Sequence, residues 1–177
     1  TELSLLPEEQ HLLDFKTFSV YYGYQQQIPI CVQEITRLRE ITFRTLNEGS
    51  GEACDTDKFD ATYMHLFIFD HKNEEIIGAY RIGQTDLLQK NGDVSQLYLS
   101  QMFNFEPEFI NQQQPCLEMG RSFIIEAHQN SFHGLLLLWK GIGAFVCQNP
   151  QYRTLYGTVS LSKLYDPRSV ALINKVI

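Results

Sequence analysis

Residues 63–70 read YMHLFIFD, apolar at nearly every position rather than at every second one. A strand with one wet face alternates, so a run apolar on both sides belongs to a strand covered from above and below. This run constrains the chain most, because it demands a sheet with helices packed on both faces. The polar turn at 70–75 and the second run at 75–83 supply its partner, and the two read as a hairpin. A third apolar run at 116–126 is again strand-like.

The remaining elements fit around these strands. Residues 17–24, rich in Val, Phe and Tyr, predict a first strand, with a helical turn before it at Pro7, Glu8 and Glu9. Pro29 opens a helix to about Asn47, where Cys31, Ile35, Leu38 and Leu46 mark the apolar stripe and Glu40/Arg44 form an i,i+4 pair. A short helix is expected near 98–102, and the glutamines at 112–114 read as a loop. The stretch 134–147 predicts an apolar helix whose buried stripe is Leu135, Leu138, Ile142 and Phe145. Asn149-Pro150 breaks it, 154–161 predicts a strand, and Asp166-Pro167 starts a last helix. Strand, helix, strand at this end implies a crossover with parallel pairing. The fold expected is a single mixed α/β (α+β) domain over 1–177, with helices on both faces of a central sheet. Gly141-x-Gly143 lies inside a helix rather than in a strand-to-helix turn, so it reads as close packing, not a dinucleotide loop.

Composition excludes several function classes. With 14 Lys+Arg against 21 Asp+Glu the formal charge is -7, and no basic stripe offers itself to nucleic acid. No run of about 18 apolar residues occurs, so no helix spans a bilayer. The N-terminus lacks a basic and then apolar leader. Cys31, Cys54, Cys116 and Cys147 are widely spaced and read as reduced thiols. There is no CxxC or HExxH, so no metal is expected.

Against this background certain charged residues stand out. Arg39 and Phe43 share one helix face. Asp57 and Asp60 sit just before the buried run, and Arg81 lies within a strand, sharing a face with Ile77 and Ala79. Glu118 and Arg121 lie within the third strand, where a period of two would turn them to opposite faces. A bulge at Gly120 would bring both to one side. Charges in apolar strands are costly unless paired or facing a wet cleft. Two readings stay open: a buried ion-pair network, or a reactive site. His65 and Trp139 read as structural.

The phrases RLREITFR, DKFDATYMHLFIFD, IIGAYRIG, LEMGRSFI, LLLLWKGIGAFV and LYGTVSLS, in this order, resemble the GNAT-like acyltransferase superfamily. Within it they are similar to the acyl-carrier-protein-dependent N-acyltransferases of ornithine- and glycine-lipid synthesis, often called hemolysin-like, and to the related acyl-homoserine-lactone synthases. The resemblance covers about residues 28–161. It departs from the lactone synthases where Gly49 and Ser50 stand in place of their tryptophan, which argues against a lactone product. Residues 127–134 retain Gln129 but lack the glycine run of a pyrophosphate loop, which suits a carrier-protein pantetheine arm better than coenzyme A.

The resemblance implies transfer of a fatty, 3-hydroxylated acyl group from acyl carrier protein to the amine of a small amino acid such as ornithine or glycine. No cofactor is held permanently; the acyl-phosphopantetheine is a substrate. Glu118 is the expected base, directly or through water, with Arg121, Asp57 and Asp60 beside it. Arg39, Phe43, Arg81, Ser122 and Phe123 are expected around the substrates, with backbone N–H groups near the bulge meeting the thioester oxygen. The helix after residue 133 would present its N-terminus to the pantetheine phosphate. The implied setting is cytoplasmic, at most peripheral at the inner face of the membrane, with no nucleic acid partner. In some relatives such a module follows an O-acyltransferase domain, so the chain is compatible with a piece of a bifunctional protein. Two alternatives remain: a lipid- or peptide-binding module on a degenerate scaffold, which predicts no reactive carboxylate, and a coenzyme A-dependent small-amine acetyltransferase, which the poor pyrophosphate loop disfavours.

Overall fold

Strands β1 (His11–Phe15), β2 (Phe18–Tyr24), β3 (Met64–Asp70), β4 (Glu75–Gln84), β5 (Cys116–Ile124) and β6 (Thr154–Gly157) lie side by side in chain order. The computed structural model describes residues 2–89, 92–110, 114–130, 132–159 and 165–176. All neighbours are antiparallel except β5 and β6, which run parallel from Cys116↔Thr154 to Met119↔Gly157. The expected crossover supplies that pairing.

The helices are α1 (Pro29–Thr45), the single turns α2 (Thr85–Leu88), α3 (Pro107–Ile110) and α4 (Glu126–Gln129), then α5 (Phe132–Gln148) and α6 (Pro167–Val176). Three-residue-per-turn segments occupy Glu2–Leu5, Glu8–Gln10 and Tyr98–Gln101. Of the expected strand at 154–161, residues 160 and 161 lie outside the described residues, as do Gln112 and Gln113 of the expected loop. Strand β1 was not expected. It is an edge strand with no buried residue, so it carries no clean alternation. No described helix is long and apolar enough to cross a membrane.

Strand β3 fulfils its two-sided pattern. Met64, Leu66 and Ile68 pack with Leu137, Leu138, Ile142 and Phe145 of α5. Phe67 packs on the other face with Ile28, Val32 and Ile35 at and within α1. Gly141 lets α5 approach the sheet: a Cβ there would meet Val20 Cγ1 at 2.6 Å. Two expected stripe members turn outward instead, Leu46 at 59% and Leu135 at 57% exposure.

Two irregularities set which faces the charged residues use. Ile68 pairs with Gly78 but Phe69 with Ile76, so Ile77 is an extra residue. Ile77 therefore joins the α5-side cluster, and Arg81 shares a face with Ala79 but not with Ile77. In β5, Ala79 pairs with Phe123 and Arg81 with Gly120, leaving Arg121 and Ser122 opposite Tyr80 alone. This is the expected bulge. Its left-handed residue is Arg121, at φ 51°, and not Gly120.

Candidate active site

Helix α1 carries Arg39 to the sheet, where it is fully buried. Its Nε donates to Asp55 Oδ2 at 2.7 Å, its two terminal nitrogens reach Asp60 at 3.1–3.2 Å, and one also donates to the Asp55 carbonyl. Arg81 donates to Asp57 Oδ1 at 2.6 Å and Asp60 Oδ1 at 3.2 Å. Arg121 donates to Asp55 Oδ2 at 3.1 Å and to Tyr98 Oη at 3.3 Å. Asp60 also accepts the Asp57 N–H, which ties the loop to itself. Three arginines thus meet three aspartates. Burial pushes the Asp60 carboxyl up, but Arg39 and Arg81 outweigh it and hold it below the usual carboxylate range. His65 lies beneath, its Nε2 hydrogen-bonded to the Asp60 carbonyl at 3.0 Å. Burial is the largest cause lowering its pKa, which favours the neutral ring. Of the ion-pair network expected among Arg39, Asp57, Asp60, Arg81, Glu118 and Arg121, all but Glu118 are joined, and Arg39, Asp57, Asp60 and Arg81 line no described cavity. Asp55 belongs with them and was missed.

Glu118 is the odd carboxylate out, with no arginine bonded to it. It is 2% exposed. Oε1 accepts from Tyr63 Oη at 2.9 Å and from the Leu99 N–H at 3.2 Å, and Oε2 accepts from Tyr156 Oη at 3.1 Å. Tyr63 Oη in turn accepts the Tyr98 N–H at 2.7 Å. Burial raises the Glu118 pKa, and these donors only partly offset it. Both phenols are pushed up as well, chiefly by burial and then by the Glu118 charge.

A cavity of about 850 Å³ opens beside this carboxylate. It runs along β5 past Met119, where β6 ends, so the outer edge of β5 from Gly120 onward has no strand partner among the described residues. Of the expected site residues, Phe43, Arg121 and Ser122 line it, and Tyr98, Trp139 and Tyr156 stand beside them. Glu118 does not line it. Glu118 was expected to act directly or through water; in the structure Tyr156, bonded to Glu118, stands in the cavity wall between the two. Trp139, expected to be structural, is 54% exposed at the rim. Tyr63 and Tyr156 were missed because a tyrosine in or beside a strand reads as ordinary strand composition.

Arg121 is the arginine of the lattice that reaches the cavity, with its side chain 23% exposed. Phe43 covers it, with its ring 6.0 Å from the guanidinium carbon. Phe123 is buried and lines a second cavity of about 290 Å³ that shares Phe43, Leu46, Tyr80 and Ser122 with the first. In the region of the degenerate loop, Gln129 ends α4 and donates to the Ile124 carbonyl at 2.8 Å, while Ser131 lies outside the described residues. Among the described residues no group of three His, Cys, Asp or Glu could hold a metal ion.

Residues 38–140 match the family described as acetyltransferase (GNAT) domain. The chain is 33% identical over 165 residues to a glycine N(alpha)-acyltransferase of Bacteroides thetaiotaomicron, covering 87% of this chain and 49% of that protein. It is 32% identical over 158 residues to a glycine N(alpha)-acyltransferase of Phocaeicola vulgatus, covering 82% of this chain and 48% of that protein. The chain thus spans about half the length of the curated relatives it matches. An aminoglycoside acetyltransferase from an uncultured soil metagenomic sample superposes with a TM-score of 0.52 at 10% identity, covering 92% of this chain and 91% of that one. At that identity the likeness shows the fold alone.

Proposed function

Since the chain belongs to the acetyltransferase (GNAT) domain family, we propose that it transfers a fatty acyl group from the phosphopantetheine thioester of acyl carrier protein to the amine of a small amino acid. Glycine is the first acceptor to test, on the names of the two relatives, and ornithine the second. The product is an N-acyl amino acid for aminolipid synthesis, and a 3-hydroxyacyl donor is the first choice from the resemblance. The reading implies a cytoplasmic setting, with at most peripheral contact at the inner face of the membrane.

One observation carries this reading: the cavity along the open edge of β5 has in its wall a phenol bonded to a buried, uncompensated carboxylate. An ammonium is not a nucleophile, so a proton must leave before the nitrogen attacks. In the proposed step that proton passes to Tyr156 Oη as the phenol proton passes to Glu118, so tyrosinate is never formed. A carboxyl pKa raised by burial makes Glu118 a better acceptor than an exposed glutamate. The nitrogen then adds to the thioester carbon and the C–N bond forms; as the C–S bond breaks, its electron pair leaves with the pantetheine sulfur, which takes the second proton given up by the nitrogen and departs as the thiol. The open β5 edge suits an extended pantetheine arm, whose amides can bond to it as an added strand would.

The test is turnover by the purified protein. Dodecanoyl to hexadecanoyl acyl-carrier-protein thioesters are mixed with glycine, ornithine or other small amines, and released thiol and N-acyl product are measured. Glycine should give product with the carrier-bound donor. Absence of thiol release from every carrier-protein and coenzyme A thioester, with every amine, would refute the reading.

A further inference from the structure

We infer that Arg121 receives the carboxylate of the acceptor, so that the site takes free amino acids and rejects amines that lack this group; the inference rests on the acyl-transfer reading above.

Among the described residues, Arg121 and Glu48 are the charged members of the larger cavity's lining, and Glu48 is exposed. Arg121 is thus the cation that an anionic group meets there, and its guanidinium is only partly engaged. Nη1 donates to Asp55 Oδ2 at 3.1 Å and Nη2 to Tyr98 Oη at 3.3 Å, whereas Asp57 Oδ2 lies 3.8 Å from Nη2, beyond hydrogen-bond length. Asp55 Oδ2 is shared with Arg39 Nε, which holds it more closely at 2.7 Å. The Arg121 Nε–H is shut off from water and bonded to no described residue. Such an unmet donor costs the fold free energy. A carboxylate matches a guanidinium fork with spare donors, taking parallel N–H bonds.

The place suits an acceptor whose amine is to meet Tyr156. Tyr98 and Leu99 are adjacent in the cavity wall. Tyr98 Oη accepts from Arg121, while the Leu99 N–H donates to Glu118, the carboxylate that also accepts from Tyr156 Oη. The anchor and the proton relay thus meet neighbouring residues of one wall, which fits a molecule carrying carboxylate and amine close together. The rings of Phe43 and Tyr98 lie 6.0 and 5.3 Å from the guanidinium carbon and shelter it from water, where a charge-assisted bond is stronger. The pantetheine arm follows the β5 backbone, whereas the Arg121 side chain leaves it toward Asp55 and Tyr98, so donor and acceptor use different groups.

The experiment compares glycine with glycinamide, its uncharged-end counterpart, as acceptors from one acyl-carrier-protein donor. Glycinamide sheds its ammonium proton more readily, so ease of deprotonation does not favour glycine. The kcat/KM ratio should favour glycine by about 10- to 100-fold, the worth of hydrogen bonds to a charged group. In Arg121→Gln the ratio should collapse toward one, and Arg121→Lys, which keeps the charge without the fork, should fall between. Taking the ratio within each variant cancels any general loss from a weakened bulge. Equal use of both acceptors by the parent, or a ratio unchanged in Arg121→Gln, would overturn the anchor while leaving the acyl-transfer reading intact.

If no thioester is turned over at all, that reading fails, and binding judges the anchor separately. Calorimetric titration compares N-octanoylglycine with uncharged N-octanoylglycinamide. Binding of the carboxylate at least about tenfold tighter, with the difference lost in Arg121→Gln, supports the anchor; equal binding of the two, or no binding of either, overturns it.

Discussion

Replacing Glu118 with glutamine tests the proposed chemistry with little disturbance of the fold. The glutamine Oε1 keeps the donors from Tyr63 Oη and the Leu99 N–H. Its NH2 takes the place of Oε2 and donates to Tyr156 Oη, so the phenol proton turns away and no buried polar atom of the group is orphaned. What is lost is the proton acceptor. General-base catalysis is worth about 10²- to 10⁴-fold, or about 3–5 kcal/mol of barrier, and turnover should fall by that factor. Stability should move the other way. Burial raises the folded pKa of Glu118 above its ordinary value. The group's contribution is therefore fully present below the unfolded pKa and is lost as pH rises through the folded one. Above the folded pKa the ionised carboxylate weighs against the fold, and glutamine carries no such charge. Urea unfolding should find Glu118→Gln at least as stable as the parent at pH 8, with the advantage shrinking toward pH 4. Turnover within a few-fold of the parent, or a stability loss above about 2 kcal/mol at pH 8, would show that Glu118 is a structural residue and refute the reasoning.

Removing Arg39 should have the opposite signature. Arg39→Met leaves Asp55 with Arg121 and Asp60 with Arg81 as their remaining arginines in a buried site and should cost about 3–5 kcal/mol in urea unfolding at pH 7, a loss that narrows in acid as Asp60 protonates. The two glycines of α5 make an internally controlled pair. Gly141→Ala drives a Cβ to 2.6 Å from the stiff, buried Val20 and should destabilise by about 1–2 kcal/mol, whereas Gly143→Ala meets open space and should stabilise by up to about 1 kcal/mol, both read as shifts in Tm. The Glu40 carboxyl is held down at about 2, first by Arg44 and then by the Ser50 hydroxyl. Its contribution is present above the unfolded value of 4.5 and lost as pH falls toward 2, so Glu40→Gln should flatten acid unfolding over that window, as followed by circular dichroism.

The sheet was legible where apolar runs were long. A strand buried on both faces leaves almost no polar position, and 63–70 has almost none. β1 left no such trace because half of an edge strand is wet. Periodicity found the buried faces of α1 and α5 but gave Leu46 and Leu135 to the core. A helical period says which residues share a face, not where the helix or its partner surface ends: Leu46 follows the end of α1 at Thr45, and both leucines line the smaller cavity instead. Asp55 sits in the irregular stretch between α1 and β3, where no period singles out one carboxylate from another.

The choice between ion lattice and reactive site could not be made from residue types, because both use arginine and aspartate. The structure shows the ion lattice, and on the proposed reading it supports the reactive site. A non-glycine residue in the left-handed region costs about 1–2 kcal/mol, and Arg121 accepts that conformation at φ 51°. Its guanidinium is held by Asp55 and Tyr98, and Asp55 is fixed by Arg39, the most deeply buried cation of the group. The lattice thus holds the bulge, and the bulge shifts the strand's register so that Glu118 and Arg121 lie on one face while Phe123 and Ile124 line the smaller cavity. Weakening the lattice should therefore disturb acyl transfer through the shape of β5 even though Arg39, Asp57, Asp60 and Arg81 line neither cavity.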